Sequence, residues 1–511
     1  RAILDPTAAG GYGTFYGPNI DVNGENTLGE GLVPGVEYLA VLDDGTGHKQ
    51  VVMAVQIPDS FDVDNPCVVL GPSSGSRGVY GSIGSSSEWG LKRGCAVALT
   101  DSGKGMGLHD LTDDTVNRVD GSRATRTVAG TLSHFAAQIS DAARAAFNTA
   151  FPNRLALKHV HSQQNPEGDW GSDTLVAARY ALYTLNEQFA DPVEAGSTTK
   201  RVRFTPSNTL VIAGSVSNGG AAILQAAEQD TEGLIDGVVA SEPSAQPADS
   251  TGISIALGGT AVTGQIGRPL LDYLTYANVY QPCAVLAADA ALTETSIFNY
   301  MALTGMTARA EHRCTALAAK GLVAGATTAE RAADALQKLR AYGWTVEHDT
   351  MHTAHYGLGN SPIIAMMYTN AFGRFSVTDN LCGMSLAQVD LGGDPVTPTS
   401  ATVAASFAIG NGTANGSPAS VVYNDSVGGA KSWAFAVSPS SGLSDFALDA
   451  ALCQRALVTG TDPEAGDPLT ASTVPTLAQS QAVQAGMSEV LLNGNRSEEH
   501  TSELQSLSDI A

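Results

Sequence analysis

The chain has 511 residues, with 27 Lys or Arg against 51 Asp or Glu and a formal net charge of −24. That balance argues against nucleic acid as a partner, because phosphate binding needs a basic face that releases counterions. Hydrophobic residues are 43% and charged ones only 15%, which excludes an acidic disordered chain, and no apolar run reaches the ~18–20 residues of a membrane-spanning helix.

The chain starts at Arg1 rather than Met with no signal-type apolar segment after it, so a processed or incomplete start is expected. Tyr38–Leu42 and Val51–Ile57 read as strands about a turn at Asp43–Gly47. Cys67–Leu70 and Cys95–Leu99 are unbroken apolar runs, as in strands covered on both faces. The loop between them, Gly71–Gly78, is almost all small residues. Thr131–Ala150 and Asp173–Phe189 carry helix-period apolar positions. Thr209–Ala213 then reads as a strand, Asn218–Gln229 as a helix and Ile235–Ala240 as a strand. Strand, helix, strand in that order predicts an α/β fold with a doubly wound, mostly parallel sheet.

Beyond Glu242 the pattern changes. Residues 245–268 are rich in Gly, Ser and Thr. Residues 270–345 read as mostly helical, most clearly at Thr328–Ala341, and 376–475 show no long helix. The expected organisation is a core segment with the candidate site over 1–245, an insertion or lid-like region over 246–475, the start of a C-terminal core segment over 476–495, and a tail over 496–511. From Arg496 the sequence resembles the in-frame translation of a sequencing-library adapter, so the tail is expected to be non-native. Six Cys are scattered without a C-x-x-C pair. An even number fits disulfides in an exported protein with open connectivity, although Cys67 and Cys95 would also suit buried free thiols.

The segment Thr209–Ala222 carries the chemistry. An apolar strand runs into Ser217 and a helix of small residues follows at once, which is how a nucleophilic Ser is lifted clear of a sheet on a strained turn. Such a turn needs small residues two before and two after the Ser; here they are Ser215 and Gly219. The usual G-x-S-x-G becomes Ser-Val-Ser-Asn-Gly. The competing readings are a turn without chemistry or a phosphate-binding turn, the latter lacking G-x-G-x-x-G and a Lys-Ser/Thr ending. If Ser217 is the nucleophile, the Asn218 N–H at the helix start is one candidate oxyanion donor. Ser74 and Gly75, in the loop after Cys67–Leu70, are candidates for the second.

Six motifs carry a resemblance: Gly-Gly-Tyr-Gly-Thr-Phe-Tyr-Gly-Pro-Asn (10–19), Ser-Ser-Gly-Ser-Arg-Gly-Val-Tyr-Gly (73–81), Glu-Trp-Gly-Leu-Lys-Arg-Gly-Cys-Ala-Val-Ala (88–98), His-Ser-Gln-Gln-Asn-Pro-Glu (161–167), Ser-Val-Ser-Asn-Gly-Gly (215–220) and Asp-Asn-Leu-Cys-Gly (379–383). With them the chain resembles the 3-hydroxybutyrate oligomer hydrolases, also called hydroxybutyrate-dimer hydrolases, from about Gly10 to Asn495. A box with Ser in place of its first Gly is typical of that family. The resemblance implies an α/β-hydrolase fold, an exported protein (secreted or periplasmic), and Ser217 as nucleophile on short esters of 3-hydroxybutyrate.

That fold orders its triad Ser, acid, His. The His residues after Ser217 are His312, His348, His352, His355 and His500; the acid candidates are Asp394 and Glu242, with His355 as a possible partner of Glu242. Family members place acid and His in motifs near the C-terminus that are not found here. Both are therefore expected beyond this chain, together with the last strands, leaving Ser217 with no His nitrogen in reach and the chain inactive as an esterase. His348, His352 and His355 have helical spacing for a metal, but a buried cluster is the simpler reading and no metal is expected. His159 and His161 read as structural, and Asp101, at a strand end, is assigned no chemistry. The expected function is a serine esterase that cleaves 3-hydroxybutyrate dimers and oligomers, with a small-molecule ester as partner and no cofactor. The alternatives are an exported carboxylesterase of the feruloyl or tannin type, or a non-catalytic α/β scaffold that binds ligands.

Overall fold

A computed structural model describes residues 18–20, 26–30, 33–105, 107–249, 253–262, 268–289, 305–351, 359–409, 419–460 and 474–493. Strands β1 (Pro18–Ile20) and β2 (Asn26–Glu30) form an antiparallel ribbon. A six-stranded sheet follows from β3 (Gly35–Leu42), β4 (Val51–Pro58), β5 (Cys67–Pro72) and β6 (Ala96–Thr100). Strands β7 (Leu108–Asp110), β8 (Thr115–Asn117), β9 (Arg123–Thr125) and β10 (Leu155–Leu157) enter a second sheet, and β11 (Leu210–Val216) and β12 (Gly237–Ser241) return to the first. After a ribbon of β13 (Ile255–Leu257) and β14 (Thr260–Val262), the second sheet is completed by β15 (Met384–Val389), β16 (Pro395–Val396), β17 (Ala419–Tyr423) and β18 (Lys431–Ser432). The helices used below are α1 (Asp141–Ala150), α2 (Pro166–Phe189), α3 (Asn218–Gln229), α4 (Leu270–Ala284), α5 (Met306–Ala319), α6 (Thr328–Tyr342), α7 (Asn360–Gly373), α8 (Ser400–Ile409), α9 (Leu448–Thr459) and α10 (Leu477–Glu489).

The first sheet runs β12-β11-β5-β6-β4-β3, parallel from β12 to β6 and antiparallel for β6/β4 and β4/β3. The second runs β18-β17-β15-β10-β7-β8-β9, with β16 on β15, and every pairing is antiparallel. This corrects the expected doubly wound, mostly parallel α/β-hydrolase sheet. The error has a physical source. The strand-helix-strand signals strong enough to read lie in β5, β6, β11 and β12, and they do not extend to the rest of the chain. The second sheet is made largely of two- and three-residue strands with polar ends, such as Leu108–Asp110 and Thr115–Asn117, too short to show a period.

Local departures have similar causes. The helix read at Thr131–Ala150 is confined to α1, whose Ser140 side chain accepts from the Ala143 N–H and caps the start. The long helix after it begins earlier than its apolar period, at Pro166, because Pro is tolerated in the first helical turn. Within 376–475, read as free of long helices, α8 and α9 are present.

The central parallel strands are covered on both faces. Leu175, Ala178, Leu182 and Leu185 of α2 pack on Val68, Leu70, Val211 and Ala213; Val79, Tyr80, Ile83 and Leu91 pack on Val69, Val97 and Leu99. Each Val, Leu or Ile among these contributes about 1.5–3 kcal/mol of burial, which fixes the strand ends from which the candidate site projects. All six Cys are paired, as Cys67–Cys95, Cys283–Cys314 and Cys382–Cys453. The first bond joins the heads of β5 and β6, the second joins α4 to α5, and the third ties the approach to β15 onto α9. Among the described residues no helix is long and apolar enough to cross a membrane.

Candidate active site

Ser217 stands between β11 and α3 with φ 54° and ψ −124°. A residue with a side chain holds such a conformation only when its neighbours fix it, at a cost of about 1–3 kcal/mol. Three backbone hydrogen bonds do so. The Ser217 N–H donates to the Ser241 carbonyl at the end of β12 at 3.0 Å, and its own carbonyl accepts from Ala221 and Ser244, each at 3.0 Å. Close packing does the rest. A Cβ on Gly219 would lie 2.1 Å from Ser215 Oγ and 2.6 Å from the Pro72 carbonyl oxygen. Ser215 donates to that same oxygen at 2.8 Å, so the small residues around the turn let α3 lie against the ends of β5 and β11.

This packing also fixes what faces Ser217. Because β5 and β11 are parallel and in register at Leu70 and Ala213, the loop after Pro72 and the turn at Ser217 leave the same edge of the sheet. Asn218 opens α3, where first-turn N–H groups lack intrahelical partners and the helix dipole favours negative charge. Gly75 has φ +56°, and a Cβ there would meet nothing within 4 Å. Beneath the loop, Lys104 Nζ donates to the Ser73 carbonyl at 3.2 Å; burial pushes this ammonium down to about 8, against the pull of Glu167, Asp101 and Asp173. Asp101 is fully buried, 2.7 Å from Lys158, and takes the Val52 and Gly103 N–H groups. Its work is structural.

Beside Asn218 opens a cavity of about 580 Å³. Leu271, Phe372, Met487 and Val490 form apolar wall, while Glu167, Trp170 and Tyr368 bring polar atoms to it. The Asn218 Nδ2 donates to the Tyr368 hydroxyl at 2.8 Å. Burial pushes the Tyr368 phenol well above its ordinary range, and the Glu167 charge adds to this. His159 lies behind. Its Nδ1 is 2.5 Å from Ser76 Oγ and its Nε2 is 2.8 Å from Glu167 Oε1, the latter pair close but not aligned as a hydrogen bond. Ser76, His159 and Glu167 have the composition of a hydrolytic triad, yet Ser76 is fully buried and also donates to Met367 Sδ at 2.9 Å. No substrate reaches that hydroxyl.

The family model for 3HB-oligomer hydrolase matches residues 1–509. The chain belongs to the 3HB-oligomer hydrolase family. Among its curated relatives, the D-(-)-3-hydroxybutyrate oligomer hydrolase of Albidiferax ferrireducens is 47% identical over 500 residues, covering 97% of this chain and 67% of the relative. The protein of the same name from Polaromonas naphthalenivorans is also 47% identical, with the same coverage. That of Ralstonia pickettii is 45% identical over 97% of this chain and 64% of its own length. This chain therefore spans about two thirds of these family members. No solved structure matches.

The other residues singled out in the sequence of this family member fall apart in space. Asp394 sits in the turn between β15 and β16, about half exposed, with its carboxylate 2.6 Å from Lys431 Nζ. Glu242 follows β12 with φ 45° and is exposed. Neither carboxylate is hydrogen-bonded to a His among the described residues. His352, His355 and His500 lie outside those residues. His348 accepts the Thr345 N–H at 3.0 Å, and among the described residues no group of three or more His, Cys, Asp or Glu could hold a metal. His161 accepts the Leu157 N–H at 3.2 Å, and burial pushes it down to about 3. No His nitrogen among the described residues is hydrogen-bonded to Ser217. Sequence reasoning missed Glu167, Trp170 and Tyr368. The first had a signal, since the family motif at 161–167 ends on it; the other two read as ordinary helix-core aromatics.

Proposed function

We propose that this chain is a serine esterase of 3-hydroxybutyrate oligomers in which Ser217 is the nucleophile. The observation that carries the reading is the Ser217 turn itself: a side chain at φ 54° and ψ −124°, packed against the sheet so tightly that Gly219 admits no Cβ, and followed at once by a helix N-terminus. A strained Ser directed at a helix start serves acyl transfer. Ser217 Oγ adds to the ester carbonyl, and the oxyanion is held by the Asn218 N–H and by a donor of the loop at Ser74 or Gly75. Collapse releases the 3-hydroxy group of the departing unit and leaves an acyl-Ser217 ester, which water then cleaves. A base must take the Ser217 proton, and no described His is hydrogen-bonded to Ser217: His159 lies against Ser76 and Glu167, and His161 takes the Leu157 N–H. The relatives' names supply the substrate class, a small-molecule ester. The three disulfides support export to an oxidising compartment.

The test is Ser217→Ala made in the chain extended to the full length of its relatives and assayed with 3-hydroxybutyrate dimer. Loss of at least a thousandfold in kcat with an unchanged melting temperature is expected. Hydrolysis at the parental rate would remove Ser217 from the mechanism. A second comparison, with feruloyl and galloyl esters, separates the substrate classes: faster turnover of the aromatic esters would overturn the oligomer assignment.

A further inference from the structure

The cavity beside Asn218 holds more unused hydrogen-bonding capacity than a lipid-like acyl pocket would. Glu167 is 1% exposed; its Oε1 faces His159 Nε2 at 2.8 Å, while its Oε2 lacks a partner; Trp170 is 3% exposed, and its indole Nε1 lacks one too. Both residues line the cavity. The Tyr368 hydroxyl, already accepting from Asn218, still has its own proton to give. Buried polar groups of this kind are normally satisfied, so a site that leaves them open is built for a ligand's polar group.

The combination selects what that group is. An acceptor at Glu167 and donors at Trp170 and Tyr368 suit a hydroxyl, which gives one proton and receives one. A ligand carboxylate would face the Glu167 charge at close range in a buried setting and is disfavoured. The exposed rim of the same cavity carries Arg268, whose guanidinium lies 3.9 Å over the Tyr342 ring. An oligomer of 3-hydroxybutyrate has a hydroxyl at one end and a carboxylate at the other. Resting on the esterase reading above, we infer that Glu167, Trp170 and Tyr368 form a subsite for the free 3-hydroxyl end of the oligomer, with the carboxylate end directed toward Arg268. Asn218 touches both the subsite and the nucleophile turn, so the hydroxyl-terminal unit is the one acylated and monomers leave from that end.

Binding decides this without turnover. The Ser217→Ala protein is titrated calorimetrically with linear 3-hydroxybutyrate dimer and with the same dimer O-acetylated at its hydroxyl. The free dimer is expected to bind at least tenfold more tightly. Glu167→Leu and Trp170→Phe, each checked for folding by its melting curve, are expected to shrink that ratio below threefold while holding affinity for the acetylated dimer within about twofold. Equal affinities in the Ser217→Ala protein, which needs no pocket variant, would overturn the subsite, as would a tenfold ratio that persists in a folded Glu167→Leu protein. Parental hydrolysis by Ser217→Ala would strike the esterase reading alone, because the two dimers could still be compared for binding.

Discussion

A single methyl group on Gly219 tests how the Ser217 turn is held. In a free helix, Gly→Ala gains about 1 kcal/mol. Here the new Cβ would sit 2.1 Å from Ser215 Oγ and 2.6 Å from the Pro72 carbonyl oxygen. The hydroxyl can rotate; the carbonyl cannot, because β5 and the hydroxyls of Ser215 and Ser82 fix it. α3 must therefore lift off the sheet. Overpacking costs about 1–3 kcal/mol, and contacts this short with a fixed carbonyl take its upper part, about 2–3, so against the ~1 kcal/mol gained Gly219→Ala is expected to lose roughly 1–2 kcal/mol net. The lift carries Ser217 and the Asn218 N–H with it, and a displacement of this order lowers turnover by roughly ten- to hundredfold. Ser215→Gly, which restores the commoner box, removes the nearer clash. Alone it loses a buried hydrogen bond and stiffens nothing, a cost of about 1–2 kcal/mol. Combined with Gly219→Ala it should be less than additive by about 1 kcal/mol, since the two positions touch. Urea unfolding and dimer hydrolysis of the four proteins complete the cycle. A Gly219→Ala protein as stable as its parent, or strict additivity, would refute the packing argument.

Buried histidines make stability fall on the acid side. Burial depresses His109 to about 4 and His134 and His161 to about 3 from an ordinary 6.5, so their contribution is present above pH 6.5 and lost as pH drops. Asp173, raised by burial to about 6 from 3.8, opposes them, as do Asp101, Asp110 and Asp449, which burial also raises. Removing one histidine isolates its part: His134→Gln should make the acid-side loss less steep between pH 6 and 5, and urea midpoints that fall as steeply as the parent's would contradict it. Replacing Cys382 and Cys453 by Ser opens the longest loop, 71 residues, for a loss of ~4 kcal/mol by chain entropy; the 28-residue Cys67–Cys95 loop should lose less, ~3.5 kcal/mol. Reversed order in guanidinium melts would refute that. Asp394→Asn removes an exposed ion pair and should change stability by under ~0.5 kcal/mol, with dimer hydrolysis unaltered; a tenfold loss would return the acid role to that turn.

The parts legible in the sequence were those that long apolar runs announce. β5, β6, β11 and β12 were placed to within a few residues, and α3 without error, because strands covered on both faces leave no polar interruption and the small residues of 217–222 leave few alternatives. The antiparallel sheet was not legible. Its strands β7, β8 and β10 are three residues each and are held by partners more than two hundred residues away in the case of Leu155 and Leu386, a pairing no local period encodes. The cavity was hidden for a related reason. Glu167 opens α2, Trp170 follows one turn later and Tyr368 comes from α7, so their meeting depends on helix packing. Asp394 is a candidate because its turn has the composition of an acid loop, a local signal that does not show the Lys431 ion pair it makes.

The disulfides have one further property. Each bond joins neighbours in the order of cysteines along the chain, the first with the second, the third with the fourth, the fifth with the sixth. No loop encloses or crosses another. Of the 15 pairings open to six cysteines, this is the one reached by simple sequential oxidation. A chain that closes each thiol pair as it emerges from a ribosome or a membrane pore arrives at the native set without a reshuffling step, and each segment is clamped before the next is exposed. Closing these three bonds in chain order calls for an oxidant and for no exchange between pairs.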